Sequence, residues 1–106
     1  MADRIERDIA PGSTVAVLGM SFKANIDDIR ESPSVELAKI LTQRGYQVLA
    51  CEPFVQGDVA GFENHSLEEA LAACDYAVVT LAHDPFKAAK DKIAAKPHFD
   101  CVGLLR

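Results

Sequence analysis

The chain predicts a small doubly wound α/β domain, with a mainly parallel sheet of four or five strands and helices on both faces. Three observations predict it. Short apolar runs such as Val15-Ala16-Val17-Leu18 and Tyr76-Ala77-Val78-Val79 do not alternate with polar residues, as suits strands buried on both sides. Helical patterns with start and stop signals stand between these runs. The resulting order, strand-helix-strand-helix-strand-helix-strand, implies parallel strands joined by crossovers. A length of 106 residues fits one domain.

Residues 1–12 are polar and charged, with Ile5 and Ile9 four apart on one helical face and Pro11-Gly12 as the stop. This is either a leading helix or the tail of an upstream linker helix, and residues 13–106 form the domain itself. Thr14 to Leu18 reads as the first strand, closed by Gly19. Ser32-Pro33 reads as an N-cap followed by proline at the first helical position. Leu37, Ile40 and Leu41, with Pro33 a turn earlier, give that helix its apolar stripe, and Gly45 its left-handed stop. Tyr46 to Cys51 is the second strand, ended by Glu52-Pro53. Residues 54–65, with Gly57 and Gly61, read as loop. Ser66-Leu67-Glu68-Glu69 matches a capping box and opens a helix with Leu67, Ala70, Leu71 and Cys74 inward. Tyr76 to Leu81 is the third strand. Asp84-Pro85 caps a further helix with Phe86, Ala89 and Ile93 inward, and Phe99 to Val102 is a short fourth strand.

The connection from Gly19 to Ser32 breaks the pattern. Strand-to-helix turns usually take about 2–6 residues, and longer ones are usually functional or disordered. This one holds Phe22 and two cations, Lys23 and Arg30, and it falls at the carboxyl end of a strand, where ligands of doubly wound sheets bind. Only Gly19 of the three glycines of a G-x-G-x-x-G phosphate cradle is present, so the usual dinucleotide fingerprint fails. Arginine can fork onto a phosphate and lysine meets it as a point charge. Local chemistry leaves a second reading open, in which both are solvated charges paired with Asp27, Asp28 or Glu31. Asp27 and Asp28 are read as loop-fixing acceptors of backbone N–H groups, since two adjacent carboxylates do not make a metal site.

The net charge of −5 argues against nucleic-acid or membrane-surface partners, and no apolar run approaches the roughly 20 residues of a membrane span. No secretory signal is expected. Cys51, Cys74 and Cys101 form no CxxC pair and leave an odd thiol, which suits a reducing, cytoplasmic setting. They read as small buried hydrophobes. His83, at a strand end, reads as structural or substrate-edge, with acid–base work as the alternative. No Ser-His-Asp ordering and no metal-spaced cluster is present, so no catalytic or metal residue is assigned.

The segment Val17-Leu18-Gly19-Met20-Ser21-Phe22-Lys23-Ala24-Asn25-Ile26-Asp27-Asp28-Ile29-Arg30-Glu31-Ser32-Pro33-Ser34 strongly resembles the signature of the UDP-glucose/GDP-mannose dehydrogenase family, the nucleotide-sugar 6-dehydrogenases, in their C-terminal, Rossmann-like domain. That signature runs as a glycine, a few residues, Phe-Lys, then Asp-Asp-x-Arg-x-Ser-Pro. The resemblance extends from about residue 13 to the end and includes Glu52-Pro53 at the second strand end. Ala82-His83-Asp84-Pro85-Phe86 looks like the His-x-x-Phe of members acting on UDP-N-acetylhexosamines. Asp100 to Arg106 looks like their closing Asp-x-x-Gly-x-x-Arg, with Val102 where a basic residue is usual and Leu105 where an aromatic one is.

The resemblance implies a UDP-sugar-binding domain of an NAD-dependent enzyme that oxidises a C6 alcohol to a carboxylate. UDP-N-acetylmannosamine, UDP-N-acetylglucosamine and UDP-glucose are the implied substrates. By position, Phe22, Lys23 and Arg106 contact the UDP-sugar, and Arg30 reaches toward the NAD phosphates. The resemblance places NAD mainly on an N-terminal domain, and the nucleophilic cysteine in an upstream helical region. Neither lies in this sequence, so these 106 residues are expected to be inactive alone. The implied partners are the upstream domains of the parent enzyme, a cytoplasmic homo-oligomer feeding surface polysaccharide synthesis. Two other readings stand beside it, a non-catalytic Rossmann-like interaction and assembly module, and a stand-alone flavodoxin-like binding protein.

Overall fold

The computed structural model describes residues 2–21 and 32–104. Four strands form one sheet, β1 (Thr14–Leu18), β2 (Gln47–Cys51), β3 (Tyr76–Val79) and β4 (His98–Asp100), in the order β2-β1-β3-β4. All three pairings are parallel. The chain leaves β1 toward β2 on one side and returns to β3 on the other, so its direction across the sheet reverses between β1 and β3. This is the doubly wound arrangement that the sequence predicts.

Period-two alternation sorts β1 between two cores. Val15 and Val17 join one cluster with Leu37, Ala38 and Leu41 of α2 (Pro33–Gln43) and Ile5 of α1 (Ala2–Asp8). Ala16 and Leu18 join the other, with Ala70 and Leu71 of α3 (Leu67–Ala73), Phe86 of α4 (Asp84–Ala88) and Ile93 of α5 (Lys90–Ala94). Each core residue of β1 is fully buried, which explains why the strand reads as a continuous apolar run. The amino-terminal segment packs onto the sheet through Ile5. It is also tied there by hydrogen bonds from the Tyr76 hydroxyl to Asp8 (2.6 Å) and from the Tyr46 hydroxyl to the Ile9 carbonyl (2.7 Å).

The capping box on α3 forms as expected, with the Ser66 hydroxyl accepting from the Glu69 N–H and the Glu69 carboxylate accepting from the Ser66 N–H. Gly45 ends α2 with φ +97°. Other boundaries differ. The helix expected from Asp84 is two short helices, broken at Ala89 (φ −112°, ψ 19°), and its cap residue is His83. β3 stops at Val79; the Thr80 N–H still donates to the Leu18 carbonyl (3.1 Å), and its hydroxyl shares its proton between the carbonyls of Gly19 (2.6 Å) and Leu18 (3.0 Å). β4 spans His98–Asp100, starting one residue before the expected Phe99 and ending before Val102. Ile40, expected inward, is 38% exposed, because Leu37 and Leu41 already fill the face turned to the sheet. In segment 54–65 the loop is folded back on the sheet, with Asn64 bridged to Ala50 and Val59 fully buried.

Candidate functional site

The register aligns the four carboxyl ends. Leu18 pairs with Cys51 and with Val79, and Val79 pairs with Asp100. The turns after all four strands therefore meet on one edge, and the reversal between β1 and β3 lies at its centre, the place where doubly wound sheets take ligands. The centre of this edge is a buried carboxylate. Glu52, 1% exposed, turns inward from the end of β2. Its Oε1 accepts from the Met20 N–H (2.9 Å), the Ser21 N–H (3.0 Å) and His83 Nε2 (2.9 Å), and its Oε2 from the Phe54 N–H (3.0 Å). The backbone of Glu52 is held in turn by the Asn64 side chain, which accepts from its N–H and donates to its carbonyl.

His83 is fully buried at the end of the β3 turn, its ring in contact with Phe54 (4.9 Å between centroids) and Phe86 (5.3 Å). An ionised carboxylate only accepts, so His83 gives its Nε2 proton to Glu52. Ser21 Oγ lies 3.4 Å from the same Nε2. A serine nucleophile relay needs the acid on one ring nitrogen and the hydroxyl on the other. Here both meet one nitrogen, so the arrangement is a clamp on the chain after β1 and not a nucleophile relay.

Burial raises the pKa of Glu52, but the hydrogen bonds from His83 and from the Phe54 and Met20 N–H groups outweigh it, and the carboxyl sits below its ordinary value of 4.5. The sign follows from linkage: a group with a lowered folded pKa contributes stability that is complete above the unfolded value and is lost as the pH falls through the folded one. The melting-temperature advantage of the native chain over Glu52→Gln is therefore expected to be constant at neutral pH and to shrink below about pH 4.5. A gap that stays level down to pH 3 counts against the charged clamp.

The clamp bears on cofactor chemistry. In a dinucleotide-binding turn the N–H groups after β1 face the pyrophosphate. In this chain those of Met20 and Ser21 are bonded to a buried anion, so the described part of the β1 turn does not fit an NAD pyrophosphate.

The far end of the connection returns to the same place. Ser32 stands at the N-cap of α2 without capping it through its side chain, and its hydroxyl donates instead to the Ser21 carbonyl (3.2 Å). Beside this junction a cleft of about 430 Å³ opens between the first turns of α2 (Pro33, Ser34, Leu37, Ile40) and the ends of β3 and β4 (Thr80, Cys101). Its size is that of a small-molecule pocket, and the Ile40 side chain that the sequence turns inward lines it.

All four site residues expected from the sequence, Phe22, Lys23, Arg30 and Arg106, lie outside the described residues, as do Asp27 and Asp28. The described turns after the strands, 19–21, 52–58, 80–83 and 101–104, contain no lysine or arginine. Glu52 and His83, which the sequence left as a strand terminator and an unpartnered histidine, prove to be each other's partner. All three thiols are raised above their ordinary range. Burial, then the Glu52 charge, pushes Cys51 up to about 12, and burial foremost raises Cys74 and Cys101. Among the described residues no cluster of metal-ligating side chains occurs and no helix is long and apolar enough to cross a membrane.

Residues 16–106 match the sequence model of the UDP-glucose/GDP-mannose dehydrogenase family, UDP binding domain. Among similar proteins, the NDP-N-acetyl-D-galactosaminuronic acid dehydrogenase of Ralstonia solanacearum is 35% identical over 95 residues, covering 85% of this chain and 22% of that protein. The UDP-N-acetyl-D-mannosamine dehydrogenase of Escherichia coli K12 is 34% identical over 98 residues, covering 87% of this chain and 23% of that protein. The chain thus spans about a fifth of the length of these relatives. The fold aligns with a crystal structure of GDP-mannose dehydrogenase from Pseudomonas aeruginosa in a ternary complex, with a TM-score of 0.81 and 29% identity. The alignment covers 98% of this chain and 28% of that one.

Proposed function

This chain belongs to the UDP-glucose/GDP-mannose dehydrogenase family, as its UDP binding domain, and from that membership we propose that it supplies the nucleotide-sugar wall of an NAD-dependent 6-dehydrogenase. The proposed parent enzyme oxidises the C6 alcohol of UDP-N-acetylmannosamine, UDP-N-acetylglucosamine or UDP-glucose to a carboxylate. It is a cytoplasmic homo-oligomer that makes precursors of surface polysaccharide. The observation that carries this reading is the family match over residues 16–106, joined to a carboxyl edge that is bare of described cations.

The proposed contacts follow the signature. Phe22, Lys23 and Arg106 meet the UDP-sugar, and Arg30 reaches toward NAD held mainly by a separate domain. A diphosphate needs compensating positive charge. Since the described turns of this edge carry no lysine or arginine, that charge falls to Lys23, Arg30 and Arg106. The chemistry of the oxidation falls outside these residues. A cysteine nucleophile must be available as thiolate, and all three cysteines here are raised by burial.

An NMR titration of the 106-residue chain with UDP and a UDP-hexuronic acid tests the reading. Binding in the millimolar range, about −4 kcal/mol, is expected, with shifts concentrated at residues 20–32 and 101–106. Lys23→Ala is expected to weaken binding by about tenfold or more, the loss typical of a hydrogen bond to a charged group. Shifts confined to other surfaces overturn the reading and favour an assembly module. NADH formation from UDP-sugar by this chain alone overturns the placement of the chemistry elsewhere.

A further inference from the structure

We infer that Glu52 and His83 form a positioning pair that fixes the backbone from which Phe22 and Lys23 follow, and so sets affinity for the uridine diphosphate. This rests on the nucleotide-sugar reading above.

The geometry is specific. Glu52 and His83 are 1% and 0% exposed, so neither can meet a ligand directly. Their shared bond is 2.9 Å, and the same Glu52 oxygen takes the N–H groups of Met20 and Ser21, the last two residues before Phe22. A buried carboxylate without enough donors is costly, so this oxygen holds the two amides where they are. The Ser21 carbonyl is held from the other side by the Ser32 hydroxyl, and Gly19 by its N–H to the Cys51 carbonyl (2.9 Å) and by Thr80 on its own carbonyl. Residues 19–21 are therefore bonded to the ends of β2 and β3 and to the start of α2. This anchorage is the point from which the chain runs on to Phe22 and Lys23. A group that meets a phosphate gains affinity when its geometry is set in advance. Packing alone does not account for the pair: an apolar side chain could fill the space of Glu52, but it could not accept four N–H groups.

The test compares three variants of the full chain. Glu52→Gln keeps the volume and loses the charge. His83→Phe keeps a ring between Phe54 and Phe86 and removes the donor to Glu52, so it serves where Glu52→Gln folds poorly. Leu71→Ala opens the core near the last turn of α3, which leads to the opposite, amino edge of the sheet, and controls for lost stability. The readouts are amide exchange at Met20 and Ser21 relative to Val78, and the Kd for UDP at a temperature where each variant is folded. Both clamp variants are expected to speed relative exchange and to weaken UDP binding by about tenfold. Leu71→Ala is expected to leave both within about twofold. Unchanged exchange and affinity in the clamp variants overturn the inference, and so does an equal loss of affinity in Leu71→Ala. If the native chain does not bind UDP, the nucleotide-sugar reading fails, and the exchange ratio alone decides whether the pair positions the backbone.

Discussion

Glu52→Ala is expected to destabilise the domain by about 3–5 kcal/mol, because it leaves several buried donors without an acceptor at about 1–3 kcal/mol each. That is a large share of the roughly 5–15 kcal/mol that holds a domain of this size together. The change takes the acceptor from three backbone N–H groups, those of Met20, Ser21 and Phe54, and from the fully buried His83 ring. Glu52 is only 1% exposed, so water reaches the orphaned donors poorly and desolvation is not recovered. Urea unfolding of Glu52→Ala against the native chain measures the loss. A difference below about 1 kcal/mol, the level of an ordinary neutral hydrogen bond, sinks the idea that this carboxylate organises the edge.

The second large effect is expected at Gly19. Its φ of +106° is one that side-chain-bearing residues rarely adopt, and a Cβ built there meets the Leu81 Cβ at 2.8 Å. The Leu81 atom belongs to the root of its side chain, so a rotamer change does not move it away. Gly19→Ala therefore adds an unfavourable backbone conformation, about 1–3 kcal/mol, to overpacking of similar size, about 1–3 kcal/mol. Gly12 separates the two terms. It has φ +94° with nothing within 4 Å of a built Cβ, so Gly12→Ala carries only the backbone cost. Gly19→Ala is expected to lower the urea midpoint more than Gly12→Ala does, and the difference measures the approach of β1 to the β3 turn. Equal midpoints contradict the close packing at the switch point.

Most of the scaffold is legible in the sequence because it depends on local rules. The run Val15 to Leu18 is apolar at every position, which only a strand covered on both faces needs. Ser66 and Glu69 three apart specify a reciprocal cap, and both of its bonds form. Local rules fail where a residue has two uses. Ser32 has the identity and place of an N-cap, yet its hydroxyl is drawn to the Ser21 carbonyl across the connection. The β3 pattern runs through Leu81, yet the strand ends at Val79, and the Thr80 N–H and hydroxyl both reach the end of β1.

The long signature from Gly19 to Ser34 identifies the family and draws attention to Lys23 and Arg30, because such a spacing of glycine, Phe-Lys and Asp-Asp-x-Arg is specific by itself. It does not say how the chain leading to Lys23 is held. Glu52 and His83 stand 31 residues apart, and no periodicity or spacing rule links them. The available clue is topological, since each follows a strand and parallel strands bring their carboxyl ends to one edge.

The sequence by itself determined the fold class and the family, because hydrophobic period, caps and a long contiguous motif are local properties of the chain. Only the tertiary structure decided that Glu52 is the acceptor of Met20, Ser21, Phe54 and His83. The reason is physical. A buried carboxylate is stable only where several donors converge on it, and these come from three separate turns that meet only after β1, β2 and β3 have paired in register.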